Sequence, residues 1–148
     1  IVEQYLTPAL VPALVFLFGA LISFSTGSSW GVWSIMMPIA FPMAIAFDIS
    51  IPFVVGAVIG GGLFGDQCSP ISDTTVLSST GAACNHIGHV RTQIPYGITV
   101  GISAFVGFLF GGLTGQYVLS IAVTAAILTL SLFTLTQLTK RRYPEKVH

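Results

Sequence analysis

The sequence is poor in charge. Only 7% of its 148 residues are Asp, Glu, Lys or Arg, against about 25% in a typical soluble domain. Hydrophobic residues make up 53% and the mean hydropathy is +0.90. These values exclude an ordinary soluble domain and predict an all-α integral membrane protein embedded in a lipid bilayer. Five acidic and five basic residues cancel, so no basic field exists to attract nucleic acid.

Cysteine is scarce as well. Cys68 and Cys84 lie within or beside apolar segments and provide no disulfide framework. The chain begins IVEQYLTP, without Met or a basic n-region, and no small-residue cleavage site follows its first apolar run. We expect residues 1–148 to be a single membrane domain that is a fragment of something longer. No motif predicts a cofactor, and a homodimer is left open.

The first two apolar segments cover residues 8–24 and 32–47, and the polar stretch STGSSWG (residues 25–31) separates them. Crossing the hydrocarbon core takes about 20 helical residues. Residues 8–47 are therefore either two short spans or a re-entrant hairpin with its tip at residues 25–31. Both interpretations return the chain to the side of the membrane on which it started.

The next apolar region is interrupted near its middle. Residues 51–65 and 74–84 flank the polar stretch DQCSPISD, residues 66–73. Neither flank looks long enough to cross alone. Pro70 cannot donate a helical hydrogen bond. We therefore predict one broken transmembrane helix over residues 51–84, with its break at residues 66–73.

Two uninterrupted spans follow, at residues 94–112 and 117–139, with a loop predicted at residues 85–93. Four of the five basic residues lie in the tail, residues 140–148, and the fifth is Arg91. The positive-inside rule places both regions in the cytoplasm. The C-terminus is accordingly predicted to be cytoplasmic.

The predicted break holds two carboxylates, Asp66 and Asp73. Irregular backbone at membrane depth occurs where it is buried in protein or lines a cavity, and an ionisable group there suggests function. Desolvation and a like-charged neighbour both favour protonation, so protons can compete with a metal ion such as sodium for these oxygens. Neutral oxygen ligands suited to a hard cation come from Ser69, Ser72, Thr74 and Thr75. The alternative is structural: Asp73 caps the following helix and Asp66 binds loop amides.

The stretch STGSSWG offers further oxygens without charge, from Thr26, Ser28 and Ser29. A polar hairpin tip that meets a broken helix is one way in which secondary transporters build a binding site. The alternative is a plain extramembrane turn. His86 and His89 are weaker candidates, because their spacing with Cys84 matches no standard zinc pattern, although histidine can respond to pH.

Two stretches resemble a known family. The segments STGSSWGVWSIMMPIA and GGLFGDQCSPISDTTVLSSTGAACNHIGHVRTQIPY are similar to the C-terminal half of NhaC sodium/proton antiporters, within the wider ion transporter superfamily, over about residues 14–96. The resemblance implies sodium/proton exchange across a bacterial plasma membrane. It also implies a fold of two inverted repeats, each with a re-entrant hairpin and a broken helix. This chain would be the second repeat, and the N-terminal half that completes the site is absent from it.

Other functions remain open. A sodium- or proton-coupled carrier of malate, lactate or an amino acid has the same implied fold, but an anionic substrate favours a nearby cationic side chain, and residues 1–90 contain no Lys or Arg. The string GLFGD partly matches the GxGD motif of intramembrane aspartyl proteases and departs from it at Phe64. A purely structural membrane subunit would not explain the polar interruptions. We expect a transporter and not an enzyme.

Overall fold

The computed structural model describes residues 7–142 of the chain, and side chains as far as Gln137. Within that part every regular element is helical. A short 3-10 turn, Pro8–Leu10, leads into α1 (Val11–Thr26), and α2 (Ser29–Ala46) follows. The remaining helices are α3 (Ile51–Cys68), α4 (Asp73–Gly81), α5 (His86–Thr114) and α6 (Tyr117–Arg142).

Five of these helical segments are long and apolar enough to cross a membrane: Pro8–Thr26, Ser29–Ala46, Ile51–Cys68, His86–Thr114 and Tyr117–Gln137. The chain is therefore part of a multi-pass membrane protein. Because α3 qualifies by itself with 18 residues, the expectation that neither flank of the break could cross alone is wrong for α3. Residues 8–47 form two of these helices, and both a re-entrant hairpin and two spans are compatible with them.

Both polar interruptions are shorter than predicted. Between α1 and α2 only Gly27 and Ser28 are non-helical, so most of the expected tip, residues 25–31, belongs to helix ends. Gly27 ends α1 in the left-handed conformation, with φ of 68°, which glycine adopts without strain. The predicted break at residues 66–73 narrows to residues 69–72, because α3 continues through Asp66 and α4 already begins at Asp73.

The predicted loop at residues 85–93 is wrong. Asn85 caps α5, its side-chain oxygen accepting a hydrogen bond from Gly88 N at 2.9 Å, and the helix runs through this segment. The span predicted at residues 94–112 is thus part of a 29-residue helix. The span predicted at residues 117–139 lies within α6. Most of the predicted tail, residues 143–148, lies outside the described residues.

Close packing of α1 on α3 builds the core. A Cβ added to Gly61 would collide with Phe16 O, and one added to Gly65 with Ala20 O, so only glycine allows the two backbones to approach this far. The Ser23 hydroxyl donates to Gly62 O at 2.6 Å and adds a hydrogen bond across the same contact. The apolar core is shared by α1, α2 and α3: Val11, Val15, Phe16, Val32, Met36, Ala40, Ala44, Val54, Ala57 and Val58.

The last two helices form a hairpin beside this core. The α5 helix packs on α1, α3 and α6, whereas the main neighbour of α6 is α5. Ser120 donates to Gly107 O at 2.5 Å and joins the two helices. Much of α6 is exposed, including Val118 and Ile121. Such an apolar surface suits lipid or further protein.

Candidate ion site

Asp66 lies in the last turn of α3 and is only 2% exposed. The close packing of Gly65 on α1 brings this turn against Ala20 and Ser23. Three hydroxyls contact it. Ser72 donates to Asp66 Oδ1 at 2.6 Å, while Ser29 and Thr74 each lie 3.4 Å from Oδ2. One carboxylate and three neutral hydroxyls therefore form a compact group of oxygens.

Ser72 connects this group to the start of α4. It is the N-cap residue of that helix, and its Oγ accepts from Thr75 N at 3.5 Å while its hydrogen points to Asp66. The Thr74 hydroxyl lies 2.7 Å from the same oxygen. Positive partial charge at a helix N-terminus favours a nearby anion. Ser72 thus links the Asp66 carboxylate to the N-terminus of the short α4.

The two polar interruptions touch each other. Ser69, in the break, donates from its hydroxyl to Phe24 O at 2.8 Å. A Cβ added to Gly27 would lie 2.8 Å from Ile71 O. Together with the contact between Ser29 and Asp66, these approaches bring the α1–α2 turn and the α3–α4 break to one place. The polar turn and the helix break that the sequence predicted therefore lie side by side.

The other predicted site residues are arranged less simply. Thr75 is buried, and its hydroxyl has no hydrogen-bond partner among the described residues. The Thr26 hydroxyl bonds to Ile22 O in its own helix at 2.9 Å, and Ser28 makes no capping hydrogen bond from its side chain. Asp73 is exposed, with its Oδ1 accepting from Thr74 N at 2.8 Å. The structure therefore unites Asp66, Ser72, Thr74 and Ser29 and leaves Asp73 outside the cluster.

The suggestion that Asp73 caps α4 is wrong, because Ser72 occupies the cap position and Asp73 is the first helical residue. Asp66 likewise binds hydroxyls, and its side chain accepts from no loop amide among the described residues. Among residues 7–137 no Lys, Arg or His forms a salt bridge with it. Asp66 is consequently a buried carboxylate without a positively charged side chain beside it in the described part of the chain.

Two side chains reach the end of α3 and the break from α5; the sequence analysis named His86 only as a weaker candidate and did not single out Gln93. Gln93 Nε2 donates to Gln67 O at 2.6 Å and lies 3.1 Å from Gln67 Oε1. His86 Nε2 lies 2.7 Å from Pro70 O. The two residues are seven positions apart, so they share one helix face. The helical spacing of these residues was overlooked because residues 85–93 were predicted to be a loop. Asn85 is nevertheless a preferred N-cap residue, and its side chain accepts from the Gly88 amide three positions on.

A buried carboxylate among hydroxyls, where the broken end of a candidate membrane-spanning helix meets a second polar turn, is typical of ion-coupled secondary transporters. A family model described as "Na+/H+ antiporter family" matches residues 1–113. The chain belongs to this Na+/H+ antiporter family. No solved structure matches the chain.

Individual relatives carry different names. The chain is 36% identical over 96 residues to an uncharacterised Na(+)/H(+) antiporter of Haemophilus influenzae, covering 62% of this chain and 20% of the relative. It is 31% identical to a malate-2H(+)/Na(+)-lactate antiporter of Bacillus subtilis, covering 74% and 24%. It is 30% identical to the arginine/ornithine antiporter ArcD of Halobacterium salinarum, covering 81% and 29%. The chain thus spans between a fifth and a third of the length of these relatives.

Proposed function

We propose that the chain carries part of the ion site of a sodium/proton antiporter, in which a sodium ion and a proton compete for Asp66. The observation that carries this proposal is the 2% exposure of Asp66 together with its three hydroxyl contacts. An uncompensated buried charge costs several kcal/mol, on the order of 3–5 when a partner is missing. A proton or a cation removes that cost, and only one of the two is needed at a time.

The ligand chemistry favours sodium as the cation. Hard cations prefer carboxylate, hydroxyl and carbonyl oxygens, and Asp66, Ser72, Thr74 and Ser29 supply the first two kinds. The Thr75 hydroxyl is buried without a partner among the described residues, and we include it as a further candidate ligand. Ser69 has a structural role in the proposal, because its hydroxyl is engaged with Phe24 O.

Asp73 has a different part in this proposal. Its side chain is exposed, and the chain covers only 20–29% of the length of these relatives. Residues from the rest of such a protein could therefore pack against Asp73. We propose that the missing N-terminal half covers this face and supplies the rest of the site. The bacterial plasma membrane, the cytoplasmic C-terminus and a homodimer belong to the same proposal. Exchange would proceed by movement of the broken helix and the turn against the longer helices.

A second candidate is a carrier that exchanges a carboxylate or an amino acid, as the names of two relatives suggest. An anionic group favours a cationic partner, and residues 1–90 provide no Lys or Arg. An aspartyl protease is disfavoured, because such an enzyme needs two carboxylates acting together, whereas Asp66 is buried and Asp73 is exposed. The family and the named relatives are transporters.

The test uses everted vesicles from a host without its own sodium/proton antiporters, with the protein expressed from its full coding sequence. A pH-sensitive dye reports the proton gradient as sodium is added. We expect sodium to discharge the gradient with native protein and not with Asp66→Asn. Full discharge by Asp66→Asn would overturn the site. Discharge that requires sodium together with malate, lactate or arginine would replace the antiporter with the carrier.

A further inference from the structure

One hydrogen-bond donor beside the core has no acceptor. The indole Nε1 of Trp33, on α2, is buried and forms no hydrogen bond among the described residues. An indole N–H can only donate, and a buried one usually finds a partner. Because this part of the chain shields the nitrogen itself, solvent and the remaining protein have no direct access to it. The acceptor is therefore expected among the residues that already pack around Trp33.

The unpaired nitrogen lies one helical turn from Asp66. A Cβ added to Gly62 would collide with Trp33 Nε1, so the nitrogen stands where a side chain of residue 62 would begin. Residues four positions apart share one face of a helix, with Cβ atoms roughly 5–6 Å apart. The Cα–Cβ bond of Asp66 is tilted toward the N-terminal end of α3, and hence toward Gly62. The contact of Asp66 with Ser29, four positions before Trp33, gives the same placement from α2.

The two carboxylate oxygens of Asp66 are held unequally. Oδ1 accepts from the Ser72 hydroxyl at 2.6 Å. Oδ2 has only the contacts with Ser29 and Thr74, both at 3.4 Å, a distance at which a hydrogen bond is weak. Oδ2 therefore keeps acceptor capacity and is the oxygen that can change its partner.

We propose that the indole N–H of Trp33 is the partner of the Asp66 carboxylate when no cation occupies the site. Rotation of the Asp66 side chain turns Oδ2 from the hydroxyls of Ser29 and Thr74 toward Nε1, and one charge-assisted hydrogen bond replaces two weak contacts. A cation bound among the carboxylate and hydroxyl oxygens draws Oδ2 back and releases the indole. This inference rests on the proposed function for its cation, and on the unpaired donor and its position for its mechanism.

The indole then competes with the cation for Asp66. Sodium binding breaks the bond to Trp33, so Trp33 lowers the apparent sodium affinity of the site. Trp33 is thus a positioning residue that acts on sodium through Asp66. Removing its N–H should strengthen sodium binding, whereas loss of a side chain that merely holds the fold together weakens sodium binding or leaves it unchanged. The direction of the effect separates the two roles.

Sodium-dependent proton exchange in everted vesicles measures that direction. Trp33→Phe keeps an aromatic ring and removes the N–H. Under alkaline conditions, where few protons compete for Asp66, we expect its half-saturating sodium concentration to fall about tenfold, the loss of one hydrogen bond to a charged group. Trp30→Phe is the matched control, because Trp30 lies on the same helix and is 74% exposed, and it should keep the native value. A raised or unchanged value in Trp33→Phe overturns the proposal.

The proton resonance of the indole N–H reports the bond directly. The protein is expressed from its full coding sequence, isotope-labelled in its tryptophan indoles and held in lipid nanodiscs, and the Trp33 signal is the one that Trp33→Phe removes. A donated N–H proton resonates downfield of a free one. We expect a downfield signal in native protein without sodium and an upfield shift when sodium is added. In Asp66→Ala the signal should lie upfield in both conditions, because no carboxylate remains.

The resonance and the transport measurement fail separately. Equal Trp33 signals in native protein and in Asp66→Ala without sodium overturn the proposal, since the indole then has another partner or none. Asp66→Asn, whose neutral oxygen accepts more weakly, should give an intermediate position and serves if the Asp66→Ala protein does not fold. If sodium exchange is absent from every protein, the proposed function fails, while the signal without sodium still decides whether Trp33 donates to Asp66.

Discussion

Two carboxylates, seven positions apart, stand at the two ends of one helix break and have opposite surroundings. Asp66 belongs to α3, whose glycines let it press against α1, so its side chain is buried among hydroxyls. Asp73 opens the nine-residue α4, which has few close neighbours apart from α5, and its side chain is exposed. The difference shows that helix packing, and not the sequence position of a carboxylate beside a break, decides which of the two is buried.

The largest expected effect comes from neutralising each carboxylate in turn. Asp66→Asn should lower the rate of sodium-dependent proton exchange by at least about a hundredfold, because the amide removes the charge that a buried cation requires. Asp73→Asn should lower it by less than about tenfold, since solvent screens an exposed charge. Dye-based initial rates in everted vesicles measure both. Equal losses would mean that the rest of the protein buries Asp73 as deeply as Asp66.

The next effect concerns the hydroxyl nearest to Asp66. Ser72→Ala removes both a 2.6 Å hydrogen bond to the carboxylate and the cap of α4, and a charged hydrogen bond contributes about 1.5–3 kcal/mol. We expect the half-saturating sodium concentration to rise at least about tenfold. The control is Ser78→Ala, because the Ser78 hydroxyl is exposed and bonds to Thr74 O in its own helix. An equal response to both substitutions would contradict a special role for Ser72.

A smaller effect is expected from the contact between the two interruptions. Gly27→Ala places a Cβ 2.8 Å from Ile71 O at a backbone φ of +68°, which costs roughly 1–2 kcal/mol from the left-handed conformation alone. The detergent-solubilised protein should therefore melt a few degrees lower. Gly81→Ala, at the end of α4, meets nothing within 4 Å and should leave the melting temperature unchanged or raise it. An unchanged melting temperature for Gly27→Ala would mean that the backbone at Ile71 moves away from the added methyl group without loss of stability.

The smallest effect comes from one of the two long hydroxyl contacts. Ser29 lies 3.4 Å from Asp66 Oδ2, a distance at which a hydrogen bond is weak. Ser29→Ala should raise the half-saturating sodium concentration about twofold. Ser28→Ala should not change it, since the neighbouring Ser28 makes no capping hydrogen bond. A tenfold effect of Ser29→Ala would mean that this hydroxyl moves closer when the ion is bound.

Much of this fold is predictable from composition and local pattern. Apolar runs of near-spanning length identified the long helices. The polar strings at residues 25–31 and 66–73 identified both interruptions, because irregular backbone at membrane depth occurs only where protein or a water-filled cavity satisfies its polar groups. The helix ends were less accurate. Ser72 has the capping role that the structural alternative gave to Asp73, and Asn85 starts α5 well before the apolar span predicted from residue 94. A cap depends on a single side chain, so the apolar pattern does not reveal it.

The site was predictable as a collection of residue types but not as an arrangement. Asp66, Ser72 and Thr74 lie within nine positions of one another, so local sequence groups them. Ser29 reaches the same carboxylate from 37 positions away, and the packing of α1 and α2 on α3 brings it there. The contacts of His86 and Gln93 likewise depend on which face of α5 meets the break, and no pattern in a presumed loop contains that information.

The glycine contact between α1 and α3 has a mechanical consequence. Where two backbones touch directly, at Gly61 with Phe16 O and at Gly65 with Ala20 O, no layer of side chains remains that could slide or repack. We expect α1 and α3 to behave as one stiff body, so any rocking that opens the Asp66 site to one side must pivot elsewhere. The non-helical joints at residues 27–28 and at residues 69–72 lie side by side at one end of that body, and we expect them to serve as its hinges.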